Sequence, residues 1–479
     1  MSRMLRNDRR KFIKVLGGAC AGGAALALLP QLELVGRLLA NDPGPGEYRA
    51  LVCVFLFGGS DSFNMLIPYE QAEYEAYSAC RGGVYHETAN ATALGYAREA
   101  LHRVRDEATG RDWGLNPNCG ALKTLFDDGD LSFLANIGPL VRPVSKAQVV
   151  GKSAPLPGFL YSHNDQQRQW MCGTSAAQLI TGWGGRLGDR LRAYNTALPS
   201  LPPGISLSGT NGFQTGASTL PFAVSHFGAP RAAHFNTDDA ASRARLAALE
   251  QVVGQSSPSL LEDRYGLIGE TALEVTATLR AAMAGQADLV TPFPTDNSLS
   301  AQLKMIANLI RVGRSSAIGH KRQIFFASLG GFDTHQGQMK SGGHGKLLRQ
   351  VSEAVLAFRD AMNEIGALKE VTTFSMSDFG RTLNSNGNGT DHGWGGVQWV
   401  MGAGAAAGGD LRGGRVIGEY PLLELDGPHS MGRGQQIPTM SVIQLGATLS
   451  RWAGASAGDL GAIFPGLEHF DQPTLPIMR

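Results

Sequence analysis

Hydrophobic and polar positions along this chain fall into two kinds of block. Short, nearly continuous apolar runs occur at Tyr48–Phe57, Leu131–Ile137, Ile324–Leu329 and Val371–Met376. Runs of that length, rich in β-branched and aromatic residues, predict strands buried on both faces, as in a parallel sheet covered by helices. Longer segments carry helical spacing instead. One spans Leu261–Ala284, and another spans Leu299–Val312 with Leu303, Ile306, Ala307 and Ile310 on one face. A third runs from Leu347 through Val351, Val355, Phe358 and Met362 to Ile365, where Gly366 supplies a stop. A short helix at Ala121–Phe126 closes at Asp128-Gly129, and Pro438-Thr439 opens a last helix carrying Val442, Leu445, Leu449 and Trp452. Strands alternating with helices predict an α/β fold.

Three of the strands end alike. Leu51–Phe57 runs into Gly58, Gly59, Ser60 and Asp61; Ile324–Leu329 runs into Gly330, Gly331, Phe332, Asp333, Thr334 and His335; Val371–Met376 runs into Ser377, Asp378, Phe379 and Gly380. A single Asp after a strand is commonly a helix cap or turn former. Three together predict a site at the carboxyl ends of an open sheet. His392 belongs with them, because it follows a polar, Gly-rich loop (384–391) and precedes Gly393-Trp394-Gly395-Gly396. Carboxylates and imidazoles are ligands for divalent metal ions, with zinc the leading expectation and manganese, magnesium or calcium the alternatives. The candidate metal ligands are therefore Asp61, Asp333, His335, Asp378 and His392. Asp391 either joins them or orients His392 from behind. His344 is either a residue of a helix start or a further member of the site, and His86, His102, His226, His234, His320, His429 and His469 read as structural or surface residues. Gly402, Gly404 and Ala407 mimic a dinucleotide fingerprint but read as a turn, because no apolar helix follows. The G-x-S-x-G elbow of α/β-hydrolases is absent from the sequence.

Composition narrows the class. The net charge is +1 and no Lys/Arg tract lies outside the N-terminus, which excludes a nucleic-acid partner. The N-terminus itself reads as an address. Arg9, Arg10, Lys11, Phe12, Ile13 and Lys14 precede an apolar Val15–Leu29 run that is short of the roughly 20 residues a membrane span needs. This resembles a twin-arginine signal peptide, here assigned to residues 1–40. It implies the twin-arginine translocase as a partner during export, a periplasmic or secreted destination and no stable membrane span after signal removal. A Pro/Gly linker follows, and residues 41–479 are expected to form a single domain with a peripheral insertion around 199–260. Cys53 and Cys172 read as packed thiols, and Cys80 with Cys119 as either packed thiols or a disulfide formed after export.

Several motifs together resemble one family. They are Gly58-Gly59-Ser60-Asp61-Ser62-Phe63-Asn64, Ser162-His163 with Gln166 and Trp170, Gly182-Trp183-Gly184-Gly185-Arg186, Phe332-Asp333-Thr334-His335 with Gln338, Ser377-Asp378-Phe379-Gly380-Arg381-Thr382, Asp391-His392-Gly393 and Gly414-Arg415-Val416-Ile417-Gly418. Nearly the whole chain after the signal resembles the DUF1501 family, which is grouped with the alkaline phosphatase and sulfatase superfamily. The resemblance implies an alkaline-phosphatase-like three-layer α/β sandwich, its central mostly parallel sheet flanked by helices, with a mono- or dinuclear metal site at the strand tips. It implies Asp61 as the first-strand ligand, Asp333 and His335 as one pair, Asp378 for the other metal, and His392 closing the first site. Two departures stand out: Phe379 replaces a histidine that usually follows the second Asp, and Asp333 and His335 are two apart where four is usual. For the nucleophile, a count back of ten from Gly173 lands on His163, while Ser162 begins a helix, where amide dipoles favour an anion. Ser162, His163 or a metal-activated water therefore remain open as the attacking group, and His163 is alternatively a metal ligand. Arg381 and Arg186 are candidates to hold a substrate anion. The function implied is an exported, metal-dependent hydrolase of phosphate or sulfate esters acting on a small anionic ester. The alternative is a non-catalytic, metal-stabilised binding or assembly protein on the same scaffold.

Overall fold

In the computed structural model, which describes residues 47–174, 180–227, 235 and 239–479, nine strands form one sheet. The expected signal peptide, the linker up to residue 46 and His234 lie outside the described residues. In chain order the strands are β1 (Arg49–Leu56), β2 (Leu131–Gly138), β3 (Gly204–Ser206), β4 (Phe222–Ala223), β5 (Arg322–Leu329), β6 (Val371–Ser377), β7 (Gly396–Met401), β8 (Arg415–Ile417) and β9 (Met440–Ser441). Their spatial order is β8-β2-β7-β6-β1-β5-β3-β4, with β9 also paired to β2. All pairings are parallel except those of β7, which runs antiparallel to both β2 and β6. Gly402, Gly404 and Ala407 follow this antiparallel strand as a turn.

The sheet is the middle of three layers, and β1 shows why its sequence is apolar throughout. Ala50, Val52, Val54 and Leu56 join one buried cluster, and the alternating Leu51, Cys53 and Phe55 join the other. Both faces are dry, so a period-two pattern would strand polar groups without water. The helices include α1 (Gly120–Asp127), α2 (His163–Cys172), α3 (Trp183–Leu191), α4 (Ala240–Val253), α5 (Leu260–Ala284), α6 (Ser298–Arg314), α7 (His344–Glu364) and α8 (Val442–Trp452), and all of these but α4 place side chains in one of the two clusters. Leu303, Ile306 and Ile310 of α6 and Val351, Val355 and Phe358 of α7 pack in the first cluster. Trp183 and Leu187 of α3 and Leu445 and Leu449 of α8 pack in the second. Each such fully buried side chain contributes roughly 1.5–3 kcal/mol. Ser441 and Gln444 cap α8 reciprocally, which starts that helix four residues after Pro438.

Residues Pro45–Arg479 form one unit. The stretch expected as a peripheral insertion divides in two: β3 and β4 lengthen the sheet, and α4 begins a helical hairpin with α5. A second, three-stranded antiparallel sheet of Leu66–Pro68, Arg111–Leu115 and His102–Asp106 occupies a region whose sequence shows no clear strand pattern. The last of these strands reads HRVRD and buries only Val104 and Asp106, so its alternation is masked by charge. Cys53, Cys80, Cys119 and Cys172 are all buried free thiols. Among the described residues no helix is long and apolar enough to cross a membrane.

Candidate metal centre

Strands β6, β1 and β5 are neighbours at the middle of the sheet and end level, since Leu56 pairs with both Ser377 and Leu329. The turns that follow them emerge side by side, carrying Asp378, Asp61 and Asp333. Gly58 joins these turns physically. Its φ of +114° is a left-handed conformation, and a Cβ there would lie 2.3 Å from the Asp333 nitrogen. Its amide donates to Asp378 Oδ1 at 3.1 Å. Only glycine lets β1 run this close to both acidic loops.

Around Asp333 three histidines converge. The Nε2 atoms of His335 and His392 lie 3.1 and 3.3 Å from Asp333 Oδ1, and that of His163 lies 3.5 Å from Oδ2. Each ring is held by its other nitrogen. His163 Nδ1 pairs with Asp378 Oδ2 at 2.6 Å, His335 Nδ1 with Asp391 Oδ1 at 2.9 Å, and His392 Nδ1 with the Tyr161 carbonyl at 2.7 Å. A carbonyl or carboxylate oxygen only accepts, so the proton of each neutral ring belongs on Nδ1 and its Nε2 presents a lone pair. Two of those lone pairs, on His335 and His392, face each other at 2.9 Å. That contact is repulsive unless a proton or a cation lies between them. Donor atoms around a tetrahedral zinc at about 2.0–2.1 Å stand about 3.3 Å apart, which matches the spacing here. One ligand atom from each of His163, Asp333 and His392 lies within 4.8 Å of the others, and His335 stands beside that group, 3.1 Å from Asp333 and 2.9 Å from His392. Ligating histidines held from behind by carboxylates and carbonyls are the usual outer layer of a metal site. The set fits a divalent ion.

The electrostatics agree. Burial alone would raise the Asp333 carboxyl, but the Arg381 guanidinium donating to it at 2.6 Å, with His335 and His163 beside it, holds it below its ordinary value. Burial also lowers His392, opposed by its bond to Tyr161 and reinforced by Arg381 and His163, which favours the neutral form a metal needs. Asp391, raised by burial but bonded by Asn386, His335 and Arg433, is held down at about 2.

The other expected site residues are placed differently. Asp378 is fully buried and accepts from Gly58, His163 and the Gln167 amide, so it orients a histidine instead of facing the cradle. Asp61 is also fully buried, bound by both terminal nitrogens of Arg81 at 2.7 and 3.0 Å and by Gln338 at 2.6 Å. Asp391 backs His335, not its sequence neighbour His392. Arg381 is buried, donating to Asp333, the Gly58 carbonyl and Thr390, so its donors point inward. Arg186 ties the carbonyls of Cys172, Thr181 and Ile463 together and is no part of the centre. Ser162 precedes α2, and its hydroxyl donates to Asp165 at 2.8 Å. Phe379 packs against the rings of His163 and His392, with centroids 4.9 and 4.6 Å away. His344, at the start of α7, is fully buried with Nε2 3.4 Å from Ser60 Oγ. Sequence reasoning missed Gln167, the Tyr161 carbonyl, Arg433 and Arg81. None of these has a motif; only contacts between distant segments mark them.

No curated protein matches this chain. Among solved structures, the lipoteichoic acid synthase LtaP from Listeria monocytogenes aligns over 87% of this chain and 74% of its own, at 8% identity and a TM-score of 0.33, a likeness too slight for any inference about chemistry. The sequence profile of a family described as a protein of unknown function, DUF1501, matches residues 48–426. That match covers most of the chain and includes every residue of the cradle; the chain belongs to the DUF1501 family.

Proposed function

We propose that this chain is a metal-dependent hydrolase of phosphate or sulfate esters, exported to the periplasm or beyond by the twin-arginine route. The observation that carries the reading is the convergence of three oriented histidine Nε2 atoms on Asp333. Three nitrogens and one carboxylate suit zinc before the harder magnesium or calcium. His163, Asp333, His335 and His392 would hold a divalent ion, which would supply Lewis-acid polarisation of an anionic ester.

The chain's own groups do the rest. Ser162 lies between Tyr161 and His163, both of which touch the cradle, and its hydroxyl already donates to Asp165. In this reading Ser162 Oγ bonds to phosphorus or sulfur as the bond to the ester oxygen breaks, its proton passing to Asp165 and on to the departing oxygen. Water then hydrolyses the seryl ester; Asp165 takes a proton from the attacking water and returns it to Ser162 Oγ. The first turn of α2 offers amide dipoles to the transferred anion. A second reading, a metal-stabilised binding protein, draws on Phe379, whose ring takes space beside His163 and His392.

The test is a paired assay of zinc content and hydrolysis of p-nitrophenyl phosphate and sulfate. Wild type should hold zinc and turn over one of the two. His392→Ala should lose both properties, and Ser162→Ala should keep zinc and lose about 10²-fold or more in rate. Zinc without turnover on either ester favours the binding protein, and no zinc after reloading sinks both readings.

A further inference from the structure

The three strand-tip carboxylates arrive side by side but meet different partners. Asp333 is the half-exposed one, faced by imidazole nitrogens. Asp378 is surrounded by donors: a backbone amide, an imidazole and a side-chain amide. Asp61 already has a cation. Arg81 meets it with both terminal nitrogens, and neither side chain has any exposed surface. The guanidinium is itself fastened, with NH1 also donating to the carbonyls of Leu383 at 3.2 Å and Thr382 at 3.4 Å. Its plane approaches the Tyr77 ring at 5.8 Å, and the Tyr77 hydroxyl donates to Asn64 at 2.8 Å. Gln338 occupies Asp61 Oδ2 from another side, and its own oxygen accepts from Thr334 at 3.0 Å and Thr390 at 2.6 Å. A divalent ion at Asp61 would have to displace a buried guanidinium with five fixed contacts. It would leave that charge unpaired in a dry site, a loss on the scale of breaking a buried ion pair.

Resting on the hydrolase reading above, we propose that the centre takes one divalent ion per chain, in the cradle of His163, Asp333, His335 and His392, and that Arg81 provides at Asp61 the fixed positive charge a second ion would carry. The centre is then half metal and half guanidinium. Its second charge neither exchanges nor responds to chelators, because an arginine stays protonated.

Native mass spectrometry of the folded full chain, titrated with zinc ions alone, counts the bound ions directly. One tight ion per chain, lost in His392→Ala, is the expected result. Two tight ions overturn the proposal while leaving the hydrolase reading standing, and none overturns both. The paired variant Arg81→Met with Asp61→Asn removes the buried charges together. With its far-ultraviolet circular dichroism intact it should still hold one ion with affinity within about threefold of wild type. Loss of that ion in the folded variant places Asp61 in the cation site and overturns the proposal. If the variant does not fold, the wild-type count decides alone.

Discussion

Asp378 has no exposed surface, yet it decides which nitrogen His163 offers to the cradle. Asp378→Asn keeps the shape but gives up the charged acceptor, and zinc affinity should fall by about 10–100-fold, read by competition with a chromophoric chelator. A second residue-scale test concerns His344, which burial pushes down to about 4, with Asp61 opposing and Arg81 and Arg381 reinforcing. A histidine that must be neutral when folded binds its proton only in the unfolded chain between pH 6.5 and 4. Its effect is absent above 6.5, and stability falls as pH drops through that window. One pKa unit is about 1.4 kcal/mol, so the wild type should lose roughly 3 kcal/mol there that His344→Asn does not, measured by urea midpoints across pH. At this scale the sequence was partly legible. Asp333 and His335 drew notice because they stand just past a strand, and His392 because a polar, Gly-rich stretch surrounds it; the structure brings their side chains together. The true partners of Asp61, Asp378 and Asp391 were not, because Arg81, His163 and His335 reach them from other loops and no spacing rule connects those loops.

At the scale of elements, two turns carry the geometry. Phe159 and Tyr161, both non-glycine, take φ of 52° and 72° just before α2, and Tyr161 thereby aims its carbonyl at His392. Such conformations cost of order 1 kcal/mol each and persist where surrounding structure enforces them. The Phe159 side chain is 77% exposed, so little packing is at stake. Phe159→Gly should therefore stabilise the protein by about 0.5–1 kcal/mol in chemical denaturation. Gly58→Ala should do the opposite. Its methyl collides with the Asp333 backbone, and a drop of more than about 2 kcal/mol together with weaker zinc binding is expected. Long helices and buried strands were legible within a few residues, because their apolar periods are set by the two dry faces of the sheet. The antiparallel direction of β7 was not, since strand direction leaves no mark on a short apolar run. The small sheet near Trp113 was hidden by the arginines on its edges.

For the whole molecule, the cradle joins loops that follow β5, β6 and the start of α2, so an ion bound there ties distant parts of the fold together. Zinc at 100 times its dissociation constant should add about 2.7 kcal/mol, and a chelator should remove it, seen as a melting temperature a few degrees lower. The level ends of β6, β1 and β5 also carry a consequence for biosynthesis. β1 is the first strand of the sheet to be made, but both of its partners, Arg322–Leu329 and Val371–Ser377, belong to the last third of the chain. Until they are translated, β1 has two open edges and nothing to pair with, and contacts of such separation form slowly. Chains arrested before Arg322 should be cut readily within β1 by added protease, whereas the completed chain resists. The nascent protein therefore spends most of its synthesis as a client of whatever shields hydrophobic segments, and its cradle of histidines is complete only once His392 has been made.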